Sequence, residues 1–86
     1  MADQVEIDQL KVRMHQFGEK VYRDALASEL TWDEIICALG TTSKAVASGA
    51  VKAGDGSQHD VFERAHKVFT MGFNRQVVFV REDIQH

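Results

Sequence analysis

Ile7, Leu10, Met14, Phe17 and Val21 recur at alternating intervals of three and four residues. That spacing follows the α-helical repeat and gathers five apolar side chains into one stripe. It predicts a long amphipathic helix over residues 3–28, with Ala25 continuing one side. Asp3 and Glu6 stand where an N-cap and a third-position acid can satisfy amides that have no intrahelical partner. Glu19 with Arg23, and Lys20 with Asp24, are four apart and can pair on the outer face. Gly18 is the weak point, at about 1 kcal/mol relative to alanine. A helix with a one-sided stripe must lay it on something, because isolated helices are marginal in water.

The rest of the chain continues the helical theme. It contains no proline, the strongest helix breaker. Thr31-Trp32-Asp33-Glu34 carries a capping-box signature, with Thr31 and Glu34 as the reciprocal pair. Trp32, Ile35, Ile36 and Leu39 supply an apolar face, and Gly40 reads as a left-handed stop. A third helix is expected from Thr41 or Thr42 to about Ala53. Its Ala45, Gly49 and Ala53 fall four apart, which predicts close packing of that edge on another helix. Gly54-Asp55-Gly56-Ser57 is the strongest turn in the chain. Ser57 can cap a fourth helix carrying Val61, Phe62, Ala65, Val68 and Phe69, with Gly72 as its stop. Residues 76–80, rich in β-branched and aromatic side chains, read as a short strand. The expected fold is therefore mainly α: one domain over residues 1–86, built from a long N-terminal helix, three shorter helices and a short C-terminal extended strand.

Several function classes are disfavoured by composition. Ten basic and thirteen acidic residues leave a net charge of −3, whereas nucleic-acid binders rely on basic surfaces. The charge is spread evenly: −2 over residues 3–29, 0 over 30–54, −1 over 55–72 and 0 over 73–86. No apolar run is long enough to span a bilayer, so no membrane partner is expected. A single cysteine and the lack of a basic, apolar leader fit a reducing cytosol, and a cytoplasmic location is expected.

No catalytic or metal constellation stands out, so the chain is expected to be no enzyme and to use no cofactor. His59, Glu63 and His66 can share a helix edge. Carboxylate-bridged metal sites need a second Glu-x-x-His and further acids, so a solvated edge is the expectation. Cys37 has no companion at zinc-ligand spacing and no visible base, and reads as a small buried apolar residue.

Two readings of function remain. Residues 30–54 resemble a helix-turn-helix motif over about 24 positions, with the turn at Gly40-Thr41-Thr42. The resemblance implies a DNA-binding regulator contacting DNA through Ser43, Lys44, Ser48 and Lys52. Its second helix lacks the Arg, Asn and Gln side chains that read base edges, so nucleic acid is disfavoured as a partner. The preferred reading is a small non-enzymatic protein-interaction module, by analogy a regulator or inhibitor of the kind phages and mobile elements encode. Its expected partner is a larger protein or a second copy in a homodimer. Tyr22, Trp32, Phe73, Val78, Phe79 and Val80 are the candidate interface residues, because exposed aromatic side chains anchor protein interfaces. Phe17, Phe62 and Phe69 are expected in the core, with Trp32 partly buried.

Overall fold

The computed structural model describes residues 3–75, which form three helices: α1 (Gln4–Leu26), α2 (Trp32–Lys52) and α3 (Gln58–Phe73). Among the described residues no strand occurs. The expected strand at 76–80 lies outside them. The chain divides into two compact units, one carrying α1 and the other, Thr31–Gln76, carrying α2 and α3.

Each helix starts where short-range chemistry places it. The Glu6 amide donates to Asp3 Oδ1 at 2.9 Å, so Asp3 caps α1. The Thr31 amide donates to Glu34 Oε1 at 2.9 Å and the Glu34 amide to Thr31 Oγ1 at 3.4 Å, closing the capping box of α2. The Thr31 hydroxyl, more than the neighbouring amides, holds the Asp33 carboxyl below its ordinary range. Glu34 is lowered first by the Thr31 amide and then by that hydroxyl. The Asp60 amide donates to Ser57 Oγ at 3.1 Å to start α3.

The four-helix expectation fails at Gly40. The second and third expected helices are one, and α2 runs unbroken from Trp32 to Lys52. Glycine permits a left-handed stop without compelling one. Here the three hydroxyls that follow fold back along the helix. Thr41, Thr42 and Ser43 donate to the carbonyls of Cys37, Ala38 and Leu39 at 3.3, 2.9 and 2.8 Å. Their side chains bond within the helix, and no competing local turn forms. A Cβ built at Gly40 meets nothing within 4 Å. Gly40→Ala is therefore expected to stabilise the chain by about 1 kcal/mol. Urea titration of the helical signal measures it, and a lowered midpoint would show that the glycine is needed.

The stop that glycine does supply lies at Gly54, where φ is +87°. The Gly54 amide donates to the Val51 carbonyl and the Asp55 amide to the Ala50 carbonyl, both at 3.0 Å. This is the paired hydrogen-bond pattern of a Schellman C-cap. Gly72 is not the end of α3. The helix continues to Phe73 and is capped at Asn74, whose amide donates to the Thr70 carbonyl at 3.1 Å.

With only residues 53–57 between them, α2 and α3 form an antiparallel helical hairpin. Ala47, 7% exposed, is the sole buried residue among those described. Ser43, Ala50 and Val51 on α2 and Val61, Phe62 and Ala65 on α3 are half-buried. The expected small-residue edge is not the packed one. Ala45, Gly49 and Ala53 are exposed, and nothing lies within 4 Å of a Cβ built at Gly49. The seam instead runs through Ser43, Ala47 and Ala50, the small residues that the wide apolar side chains of α3 can cover.

Candidate interaction surface

The apolar line between α2 and α3 is only partly covered among the described residues. Between the helices runs an open groove, with Gly40, Ala47, Phe62, Ala65 and Phe69 as its apolar wall and Lys44 and His66 at its rim. Because the helices are antiparallel, the start of α2 and the end of α3 meet at the open end, away from the turn. Trp32 (78% exposed) and Ile36 lie in the first turns of α2, and Phe69 and Phe73 (73% exposed) in the last turns of α3. The rings of Phe69 and Phe73 stack with centroids 6.5 Å apart and planes 16° apart. Val46 on α2 and Val68 on α3 are exposed as well.

Of the expected interface residues, Trp32 and Phe73 share this end of the hairpin. Tyr22 lies on α1 and is half-buried. Val78, Phe79 and Val80 lie outside the described residues. Ile36 and Phe69 belong to the same surface but were not expected there. Phe69 has the same helical phase as the packed Phe62, and a stripe does not reveal where its covering helix ends. Phe17, expected in the core, is 71% exposed and Phe69 is 45% exposed. Trp32 is far more open than expected, at 78% exposed.

The helix-turn-helix geometry is absent, because Gly40-Thr41-Thr42 is helical. Ser43 is half-buried and its hydroxyl is committed to the Leu39 carbonyl. Lys44, Ser48 and Lys52 share one edge of an uninterrupted helix, so no separate recognition helix presents the four residues together. Cys37, expected to be buried, is exposed. His59 Nε2 lies 3.4 Å from Glu63, which also receives Lys67 at 3.6 Å. His66 turns to the groove rim instead. Among the described residues no three His, Cys, Asp or Glu side chains are placed to hold a metal ion. No described helix is long and apolar enough to cross a membrane.

No family model matches the chain, and no curated protein or solved structure matches it either.

Proposed function

We propose that this protein is a small, non-enzymatic interaction module that docks on a larger protein through the open end of the α2–α3 hairpin. One observation carries the reading. The hairpin buries a single alanine among its described residues, while Trp32 and Ile36 in the first turns of α2 and Phe69 and Phe73 in the last turns of α3 stand exposed. Large exposed apolar side chains concentrated toward one end of a hairpin fit an interaction site. Tryptophan is among the residues most enriched in binding hot spots. Docking there would let a regulator of this size occlude or bridge its target. The continuous α2 removes the support that the DNA-binding alternative drew from a turn at Gly40.

Cys37 supplies the test, since it is the sole cysteine, exposed, and on the same helix end as Ile36. A thiol-linked benzophenone on Cys37 should crosslink a partner protein in a lysate of the source cells. The same probe moved to the turn end, in a Cys37→Ser, Lys52→Cys variant, should not. Trp32→Ala with Phe73→Ala should reduce the adduct about tenfold or more, in line with hot-spot losses. Equal labelling from both ends, or none from Cys37, would refute the docking site.

A further inference from the structure

The hairpin leaves α1 unexplained. None of its residues is buried. Ile7, Leu10, Met14 and Phe17 are 37, 48, 52 and 71% exposed, and Val21 is half-buried. Their spacing assigns them to the a, d, a, d and a positions of a heptad. The seam is then flanked by Glu6, Arg13 and Lys20 at g, and by Lys11, Gly18 and Ala25 at e.

The charges flanking the Ile7–Val21 seam differ from those on the outer positions, and Asp24, at the next d position, ends the apolar run. On the outer positions they are spent within the helix. Arg23 bonds Glu19 at 2.7 Å, His15 Nε2 approaches Glu19 at 3.8 Å, and the Gln4 amide group donates to Asp8 at 2.9 Å. The charges beside the seam are not. Among the described residues, the side chains of Glu6, Lys11, Arg13 and Lys20 make no ion pair; Lys20 and Asp24, expected to pair, do not. In a two-stranded parallel pairing each g residue meets the e residue five further along the other strand. Glu6 then meets Lys11 of the second copy, twice by symmetry. Arg13 and Lys20 meet the uncharged Gly18 and Ala25. In an antiparallel pairing g meets g, so Glu6 faces Lys20 but Arg13 faces its own copy. Ile7 and Val21 at a with Leu10 at d are also the combination that favours parallel dimers.

We infer that α1 is a self-association helix, which pairs in parallel with α1 of a second copy of this chain through the Ile7–Val21 seam and reciprocal Glu6–Lys11 ion pairs. This deepens the interaction-module reading by assigning the two surfaces to different occupants: α1 to a second copy, the hairpin to the larger partner. Two heptads are a short seam, so the association is weak and concentration-dependent.

Sedimentation of the full chain up to high micromolar concentration tests it. Wild type should shift towards twice the monomer mass as concentration rises. Lys11→Glu and Glu6→Lys should each weaken association about tenfold, as two attractive contacts become repulsive. The double reversal should restore it, with circular dichroism confirming equal helicity throughout. In an antiparallel pair Lys11→Glu is silent and the double variant is not rescued, which would overturn the parallel seam. A monomer at every concentration would overturn self-association altogether. Crosslinking from Cys37 in the Lys11→Glu variant reads the hairpin separately, so failure at α1 and failure at the hairpin are distinguishable.

Discussion

Ala47→Asp is expected to remove about half of the stability of the hairpin, and in warm buffer to unfold it. Ala47 is the one buried residue among those described, and it shares the groove wall with Phe62, Ala65 and Phe69. A carboxylate placed there loses water and faces methyl groups and rings. Leaving a charge buried without a partner costs about 3–5 kcal/mol. The groove is open at one side and Lys44 stands at its rim, so about 2–3 kcal/mol is the discounted figure. A chain this small has about 5 kcal/mol in total. The urea midpoint of the helical signal should therefore fall to about half of the wild-type value. Ala47→Ser, which keeps the size and offers a hydroxyl to the carbonyl one turn back, should cost about 1 kcal/mol or less. An unmoved midpoint in the aspartate variant would mean that the helices do not pack through Ala47.

Gly54→Val is expected to cost about 2 kcal/mol. The left-handed φ of +87° at this position is open to glycine but costs an L-residue about 1–2 kcal/mol. A β-branched side chain tolerates it least. No atom lies within 4 Å of a Cβ built there, so the loss is one of backbone conformation and not of crowding. That distinction gives the control. Gly54→Asn should recover a good part of the stability, because asparagine visits this region with less strain. The turn fixes where α3 begins, so the loss should appear as faster hydrogen exchange at the amides of Gly54 and Asp55, which close the cap. Equal destabilisation by asparagine and valine would show that the cap is not the cause.

What was legible in the sequence follows the range of the forces involved. Asp3, Thr31 with Glu34, and Ser57 each meet their partner amide within three residues. A hydrogen bond over so short a span is decided before the chain has any tertiary structure. The Glu19–Arg23 pair and the left-handed Gly54 are of the same kind. Gly40 is ambiguous in the sequence because glycine is compatible with both a stop and a continuation. The choice fell to the helix formers around it and to hydroxyls that bond inward.

The candidate surface was only half visible. Trp32 and Phe73 stand 41 positions apart, and their shared location comes from the turn at 53–57 that folds α3 back along α2. The apolar stripes of α1 and α3 show which side of each helix avoids water. They do not show how much of that side is covered, because coverage depends on elements distant in sequence. By itself the sequence determined the helix starts at Asp3, Thr31 and Ser57, the amphipathic faces that follow them and the glycine turn at Gly54. The tertiary structure alone decided that Ala47 is where the hairpin closes, and that Phe17, Phe69 and Trp32 remain exposed. Local hydrogen bonds fix where helices begin and end, whereas burial is a property of whichever surfaces meet.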